Sequence, residues 1–320
     1  MSEPDVRQRR IATNGIELNI AEAGEGPLVL LLHGFPESWY SWRHQFAPLA
    51  AADYHVVAPD MRGYGKSDKP EAIEAYNQVE VVRDIVGLVS ALGEETAVVI
   101  GHDWGAPTAW AAALNYPQVF RAVGALSVPF TARSPVAPMA AMRAMFQGQF
   151  FYQLYFFEPG PAEAEFEADI RTALKKFLIM AGGETDLRTL PPKAEGDDML
   201  SSLPNPDALP KWLREADLDF YAGEFARSGM RGPLNYYRNH DLTWRLTEAA
   251  PTEILQPAFF VAGERDGVIL MAAAALQAMP EHVKDLRINR LIPGVGHWTQ
   301  QEAPEAVNDA ILEFLKALDG

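Results

Sequence analysis

Gly101-His102-Asp103-Trp104-Gly105 follows the apolar run Ala97-Val98-Val99-Ile100 and precedes a segment of small residues over 106–113. The apolar run predicts a buried strand and the small residues predict a helix, so the two glycines mark a tight turn between them. Such a turn exposes its central side chain, commonly a serine but here Asp103. Backbone amides at the start of the following helix favour an anion there. The stretch predicts a nucleophile elbow that carries a carboxylate, although its three matched positions also arise by chance in roughly one chain in ten of this length.

Strand and helix signals alternate on both sides of this turn. Strands are expected at 28–32, 55–58, 97–100 and 121–128, and helices near 39–47, over 77–92 and after the turn itself. Strand signals return at 258–262 and 286–291, each followed by a loop and a helix, the last of which has its apolar face over 307–318. This rhythm is typical of a parallel sheet with helices on both faces.

The segment between these two blocks has a different character. Over 130–247 the strand pattern is lost, and the sequence becomes helical, aromatic and interrupted by prolines at 191, 192, 204, 206 and 210. We interpret it as an inserted helical lid. The predicted division is a first core part at 1–129, a helical cap at 130–247 and a second core part at 248–320.

Composition limits the classes of function. The chain has 320 residues, of which 48% are hydrophobic, and no cysteine, so it can bury a large core but cannot use disulfides or thiolate chemistry. Its net charge of -16 disfavours nucleic acid and anionic membranes and favours neutral ligands. The polar amino terminus lacks a signal-peptide core and the run at 28–32 is too short to span a bilayer, which predicts a cytoplasmic protein. The seven histidines lack metal-ligand spacing and no dinucleotide or phosphate-loop motif is present, so we expect neither metal nor cofactor.

Two later residues can complete the chemistry of a carboxylate nucleophile. Such a nucleophile leaves an ester that an activated water must cleave, and the natural base is a histidine held by a second carboxylate. Asp266 and His297 each lie in a glycine-bearing loop that follows a predicted strand. Taken singly, the aspartate commonly caps a helix and the histidine is commonly a polar loop residue. Their order after Asp103 is that of the α/β-hydrolase fold, which predicts an α/β protein with a mostly parallel central sheet flanked by helices and an inserted lid.

Ester hydrolysis also needs two donors for the developing oxyanion. The backbone amide of Trp104, next to the nucleophile, is one candidate, and that of Phe35 in His33-Gly34-Phe35-Pro36 is the other. The alternative for the second loop is a purely structural turn. We expect His33 and His102 to be hydrogen-bonded scaffold residues.

Several motifs together resemble the soluble epoxide hydrolases of the α/β-hydrolase superfamily, over nearly the whole chain. They are His33-Gly34-Phe35-Pro36, Gly63-Tyr64-Gly65-Lys66-Ser67-Asp68, Gly101-His102-Asp103-Trp104-Gly105, Gly294-Val295-Gly296-His297-Trp298, Phe151-Tyr152-Gln153-Leu154-Tyr155-Phe156 and Arg231-Gly232-Pro233-Leu234-Asn235-Tyr236-Tyr237-Arg238-Asn239. In that family a tyrosine from each of the last two segments points at the nucleophile, and these match Tyr152 and Tyr237. Tyr155 and Tyr236 are then expected to pack.

The resemblance implies hydrolysis of a hydrophobic epoxide to a vicinal diol through a covalent aspartyl ester, with no cofactor. Asp103 is then the nucleophile, Asp266 orients the base His297, and Tyr152 and Tyr237 donate to the epoxide oxygen. A phenol, with a pKa of about 10, stays protonated at neutral pH and can stabilise an alkoxide, which supports that role. Packing of the lid is the alternative for any aromatic residue in it. An apolar pocket lining is expected from Phe130, Met139, Met145, Phe150, Phe156 and Leu187.

Other functions stay open at this point. The nearest alternative is a haloalkane or haloacid dehalogenase, which shares the scaffold and the Asp-Trp pair but typically has Asn or Glu where this chain has Phe35. A serine-type esterase fits less well because the elbow has no serine. A catalytically silent lipid-binding protein would keep the pocket and lose the reaction. The expected partners are a small hydrophobic epoxide and water, and a homodimer stays open.

Overall fold

The computed structural model describes residues 6–319, in which one eight-stranded sheet forms the centre of the molecule. The strands are β1 (Arg7–Thr13), β2 (Ile16–Ala23), β3 (Leu28–Leu32), β4 (His55–Pro59), β5 (Ala97–His102), β6 (Phe120–Leu126), β7 (Ile254–Gly263) and β8 (Val283–Ile292). Their spatial order is β1-β2-β4-β3-β5-β6-β7-β8. β1 pairs with β2 and β2 with β4 antiparallel, and all other neighbours pair in parallel. The mostly parallel central sheet predicted from the sequence is confirmed.

Helices cover both faces of this sheet. The helices of the core are α1 (Phe46–Ala50), α2 (Gln78–Ala91), α3 (Gly105–Asn115), α11 (Gly267–Met271), α12 (Ala273–His282), α13 (Thr299–Glu302) and α14 (Pro304–Asp319). Every residue of β3 and β5 is buried, as expected for strands covered on two sides. Val99 belongs to the buried cluster under α2 and α3, whereas its neighbours Val98 and Ile100 belong to the cluster under α1 and α14. The uninterrupted apolar runs therefore reflect burial on both faces.

The inserted lid lies between β6 and β7. Its helices are α4 (Pro138–Met145), α5 (Tyr152–Phe157), α6 (Pro161–Ala168), α7 (Ile170–Ala181), α8 (Glu215–Ser228), α9 (Arg231–Arg238) and α10 (His240–Leu246). Short 3-10 turns occur at Leu187–Thr189 in the lid and at Trp39–Trp42 and Ile73–Tyr76 in the core. The helical lid is confirmed, while the domain boundaries placed at 130 and 247 stay a prediction.

The first hairpin and the segment at 39–47 differ from expectation. The predicted strands begin at residue 28, but β1 and β2 precede them, joined by Asn14 and Gly15, both with positive φ. Residues 7–10 are exposed, so β1 lacks the apolar run that marks a buried strand. The single helix expected near 39–47 is instead a 3-10 turn followed by α1. Pro48 cannot donate a hydrogen bond to the His44 carbonyl, which accepts one from Asn308 Nδ2 at 3.1 Å.

Among residues 6–319, every helix falls short in length or in apolar character of what a bilayer crossing requires.

Candidate active site

The nucleophile elbow forms where the sequence predicts it. β5 ends at His102, Asp103 follows with a φ of 49°, and α3 begins at Gly105. A positive φ is strained for a residue with a side chain, so the surrounding structure must hold Asp103 in this conformation. A β-carbon on Gly101 would overlap the Gly105 carbonyl, which explains why glycine is needed there. The Asp103 carboxylate is thereby presented at the carboxyl ends of the parallel strands.

The loop after β3 contacts this carboxylate through its backbone. The Phe35 amide donates a hydrogen bond to Asp103 Oδ1 at 2.6 Å. A β-carbon on Gly34 would overlap Asp103 Oδ1 and would lie 2.5 Å from the Trp104 nitrogen, so both atoms adjoin the same glycine. The absence of a side chain at residue 34 therefore lets the loop approach the elbow closely. The structure brings close together the Phe35 and Trp104 amides that the sequence predicts as donors. Their role as an oxyanion hole stays a prediction.

His297 lies between the two predicted carboxylates. Its Nε2 is 3.3 Å from Asp103 Oδ2, and its Nδ1 is 3.1 Å from both carboxylate oxygens of Asp266. Asp266 also accepts a hydrogen bond from the Val268 amide at 2.8 Å, which caps α11. The same side chain therefore caps α11 and contacts His297, and its catalytic role stays a prediction. These contacts link Asp103, His297 and Asp266 in the order that a nucleophile, a base and an orienting acid require, and the three roles stay a prediction.

Burial and neighbouring charges have opposite effects on the pKa values of His297 and Asp103. Burial lowers the pKa of His297, but the carboxylates of Asp266 and Asp103 outweigh it and raise that pKa well above its usual range. Burial raises the pKa of Asp103, but the hydrogen bond and charge of His297 outweigh it and hold that pKa below its usual range. The free site therefore favours an imidazolium that is shared between two carboxylates.

The two lid tyrosines come together above Asp103. Tyr152 opens α5 and Tyr237 lies in α9, and their ring centroids are 6.1 Å apart with the planes nearly perpendicular. Both side chains line the same cavity as Asp103 and His297. Gln153 Nε2 donates a hydrogen bond to the Tyr152 hydroxyl at 2.9 Å, which leaves the phenol's own proton free for another acceptor. Burial raises the pKa of both phenols, so they stay protonated near neutral pH.

The neighbouring tyrosines point elsewhere. The Tyr155 hydroxyl donates to Glu165 at 2.9 Å, and the Tyr236 hydroxyl donates to the Arg62 carbonyl at 3.1 Å. Neither residue lines the cavity. The packing role expected for this pair agrees with these contacts.

The cavity that these residues share measures about 250 Å³ and is mostly apolar. It is lined by Phe35, Asp103, Phe150, Phe151, Tyr152, Phe177, Met180, Ala181, Leu187, Met199, Tyr237, Asp266, Gly267, Val268, Met271 and His297. Two of the six expected lining residues, Phe150 and Leu187, are among them. The expectation is wrong for Met145, which is 73% exposed, and for Phe130, which packs on Trp110 in the core. The error arises because an apolar residue of this segment can also face solvent, as Met145 does, or pack on the core, as Phe130 does, and the sequence pattern does not separate these cases.

Phe35 joins the two halves of this cavity. Its amide holds Asp103, while its ring makes edge contacts with Phe156, Phe166 and Phe177 of the lid. The same ring also meets Tyr237 edge-on, with centroids 5.6 Å apart. One residue thus contributes a backbone donor to the core side and an aromatic surface to the lid side.

The chain is similar to known proteins over nearly its whole length. Residues 27–304 match the family described as the alpha/beta hydrolase fold. Epoxide hydrolase A of Mycobacterium tuberculosis is 45% identical over 98% of this chain and 98% of its own length. This chain belongs to the epoxide hydrolase family. Epoxide hydrolase 2 of the plant Siraitia grosvenorii is 40% identical and aligns over 97% of this chain and 98% of its own.

Solved structures of epoxide hydrolases superpose on the chain almost completely. An epoxide hydrolase from an endophytic Streptomyces gives a TM-score of 0.95 at 44% identity, covering 98% of this chain and 96% of its own. Epoxide hydrolase A from Mycobacterium thermoresistibile gives 0.92 at 44% identity, covering 97% and 98%. The resemblance drawn from the motifs is confirmed, and the protein is a hydrolase of this family.

A second layer of buried polar residues supports the epoxide hydrolase site, and the sequence does not reveal it. Glu37 accepts hydrogen bonds from His102 Nδ1 at 2.8 Å and from Gln300 and Gln301, both at 3.0 Å. His102 Nε2 in turn contacts the His297 carbonyl at 2.7 Å. Glu37 precedes the two glutamines by more than 260 residues, and only its place beside the His33-Gly34-Phe35-Pro36 motif could have singled it out.

The scaffold role expected for two histidines agrees with the same contacts. His33 Nε2 accepts from the Met61 amide at 3.0 Å, and His102 is held between Glu37 and the His297 backbone. Within residues 6–319, no group of three or more histidine or acidic side chains is arranged to hold a metal ion.

Proposed function

We propose that this protein converts an apolar epoxide and water to a vicinal diol through a covalent ester on Asp103. One observation carries the proposal: an ionised carboxylate, two neutral phenols and a paired imidazole share one apolar cavity. Epoxide opening needs a nucleophile on one side of the ring and a hydrogen-bond donor on the other. Asp103 would supply the first from the core, and Tyr152 and Tyr237 the second from the lid.

In the first step, Asp103 Oδ2 attacks a ring carbon and the bond from that carbon to the epoxide oxygen breaks. Oδ2 is proposed as the attacking atom because the Phe35 amide holds Oδ1 at 2.6 Å, whereas the contact of Oδ2 with His297 Nε2 is longer, at 3.3 Å. The hydroxyls of Tyr152 and Tyr237 donate to the departing oxygen as its negative charge develops. The alkoxide takes a proton from one of the two phenols and becomes an alcohol, and that phenolate is reprotonated from solvent. The carbon stays joined to Oδ2 as an ester.

Ester formation changes the protonation of His297. It removes the negative charge of Asp103, which is one of the two charges that raise the pKa of His297. That pKa therefore falls when the ester forms, and the imidazole loses its proton more readily. The base thus becomes available in the state that requires it, still oriented by Asp266 through Nδ1.

In the second step, neutral His297 takes a proton from water and the hydroxide attacks the Asp103 carboxyl carbon. Negative charge develops on Oδ1, which already lies 2.6 Å from the Phe35 amide, with the Trp104 amide as the proposed second donor. The bond from the carboxyl carbon to Oδ2 then breaks, and protonated His297 returns its proton to Oδ2, so the diol leaves with that oxygen. Asp103 keeps the oxygen of the water and gives its remaining carboxyl proton to His297, which restores the starting ion pair. None of these steps requires a metal or an organic cofactor.

The substrate is proposed to be a neutral epoxide with apolar substituents. The cavity wall beyond the reacting groups consists of phenylalanine, methionine, leucine and valine side chains, and the net charge of -16 repels anions at long range. The cytoplasmic location also stays a proposal, resting on the sequence alone. The relatives reported above are named epoxide hydrolases, which does not favour the dehalogenase alternative.

The proposal is tested by a single turnover of styrene oxide with excess enzyme in heavy-oxygen water. We expect the first diol to carry the ordinary oxygen of Asp103 and the protein to gain one heavy oxygen, detected by intact mass. Heavy oxygen found directly in that first diol would contradict the ester mechanism. Chloride release from a chloroalkane, without diol formation from styrene oxide, would favour a dehalogenase instead.

A further inference from the structure

The loop that carries His297 is pressed against the end of lid helix α7. The His297 amide donates to the Ala181 carbonyl at 2.9 Å, and Trp298 Nε1 donates to the Leu178 carbonyl at 2.7 Å. A β-carbon on Gly183 would lie 2.6 Å from the Gly296 nitrogen, and one on Gly296 would overlap the Gly183 nitrogen. Two facing glycines therefore allow the backbones of the lid and of the base loop to touch.

Glu302 accepts hydrogen bonds from both of these backbones, on either side of His297. Its Oε2 accepts from the Gly183 amide at 2.9 Å and from the Gly296 amide at 3.0 Å, and its Oε1 accepts from the Trp298 amide at 3.0 Å. Gly296 and Trp298 are the residues on either side of His297. Burial raises the pKa of Glu302, and the three backbone donors act against that shift, because they bind its ionised form.

We propose that Glu302 is a positioning residue for the ester-hydrolysis step, an inference that rests on the ester mechanism proposed above. His297 must satisfy two distances at once, to Asp103 on one side and to Asp266 on the other. Movement of its loop by about 1 Å would spoil the geometry of water activation. Glu302 binds the backbone amides of the residues before and after His297 and ties them to Gly183, so the position of the base depends on the position of the lid.

A positioning role for Glu302 predicts different effects on the two steps of the reaction. The first step uses the Asp103 carboxylate and the phenols of Tyr152 and Tyr237, none of which contacts Glu302. The second step requires His297 as a base. Loss of the Glu302 contacts should therefore slow ester cleavage much more than ester formation.

The test compares Glu302→Gln with wild type in rapid-quench single turnovers of styrene oxide. Glutamine keeps the shape of the side chain, but its NH₂ group cannot accept a hydrogen bond, so at least one backbone amide loses its partner. We expect ester cleavage to slow by about 10- to 100-fold while ester formation changes less than about threefold. The ester should then accumulate and be visible by intact mass. The matched control is Glu305→Gln, an exposed glutamate in the first turn of α14, which removes the same charge and should leave both rates unchanged.

A shorter carboxylate provides the second variant. Glu302→Asp keeps the charge but cannot reach amides on both sides of His297, and it should also slow cleavage selectively. If Glu302→Gln does not fold, Glu302→Asp decides on the same criterion. Equal slowing of both steps, or no slowing in the folded variants, would overturn the positioning role. A wild-type protein that forms no ester would instead refute the proposed function, which keeps the two failures distinct.

Discussion

The core wall of the cavity carries charge, whereas the lid wall carries neutral phenols and apolar rings. The core wall, defined here as Asp103, Asp266 and His297, follows three strands of the sheet and is fixed by backbone hydrogen bonds. The lid wall, defined as Tyr152 and Tyr237 with the surrounding aromatic residues, is fixed mainly by edge contacts between rings.

This difference separates two chemical tasks. Groups that form and break covalent bonds need fixed positions and defined protonation, which strand ends and buried ion pairs provide. Groups that only donate to a developing charge must stay neutral, and burial among aromatic rings ensures this by raising the pKa of each phenol. Changes in the core wall should abolish a step, whereas changes in the lid wall should weaken one.

The strongest test of this division is Asp103→Asn. We expect diol formation from styrene oxide to fall by about 10⁴-fold or more, because the amide is a poor nucleophile and no ester can form. Diol formation is measured by chromatography, and intact mass should show no adduct. Turnover within tenfold of wild type, with the asparagine still present by mass, would mean that the core wall does not make the bond.

The next largest effect is expected for His297→Gln. Steady turnover should fall by about 10³-fold or more because water is no longer activated, while Asp103 can still be alkylated. One equivalent of ester per protein should be trapped and detected by intact mass. Loss of turnover without any trapped adduct would show that His297 is needed before the ester forms.

On the lid wall, Tyr152→Phe and Tyr237→Phe should each slow ester formation by about 10- to 100-fold, since one donor to the alkoxide remains. The double variant should be far slower than either. The matched control is Tyr155→Phe, whose hydroxyl contacts Glu165 outside the cavity and whose loss should leave the rate of ester formation unchanged. The rates are read from rapid-quench single turnovers. Complete loss of ester formation in either single variant would contradict the division of tasks between the core wall and the lid wall.

A change of one pH unit is expected to have the smallest effect. Ester cleavage requires neutral His297, so its rate should fall about tenfold for each pH unit below the pKa that His297 has in the ester. Ester formation should not fall in the same range, because Asp103 has a pKa below its usual range and stays ionised. The pKa of His297 from the cleavage profile should be lower than that from an NMR titration of the free protein. Equal values would mean that the Asp103 charge does not control the base.

Much of the core wall could be predicted from the sequence because each of its residues has a local signal. Asp103 lies between glycines at a strand-to-helix turn, and Asp266 and His297 each follow a strand in a glycine-bearing loop. Only the family resemblance singles out Tyr152 and Tyr237, because many other aromatic residues of the lid are spaced similarly along the sequence. The structure places all five along one cavity, and their catalytic roles stay a prediction.

The supporting layer could not be predicted in the same way. Glu37 meets Gln300 and Gln301 across most of the chain length, and Glu302 meets Gly183 of the lid. Such pairs leave no periodic or local pattern, because they arise only when distant loops meet at one edge of the sheet. The hairpin of β1 and β2 was missed for a related reason: its exposed strand obtains its register from a partner and not from a buried run.

The two attachments of Phe35 limit how the substrate range of this enzyme can be redesigned. Any replacement of its ring disturbs the packing that seats its amide against Asp103, so selectivity and rate cannot be tuned independently at this position. Met271 also lines the cavity and is 56% exposed, whereas Leu187 lies against Gly267, next to Asp266. We expect substitutions at Met271 to change the range of epoxides while the Phe35 amide keeps its contact with Asp103.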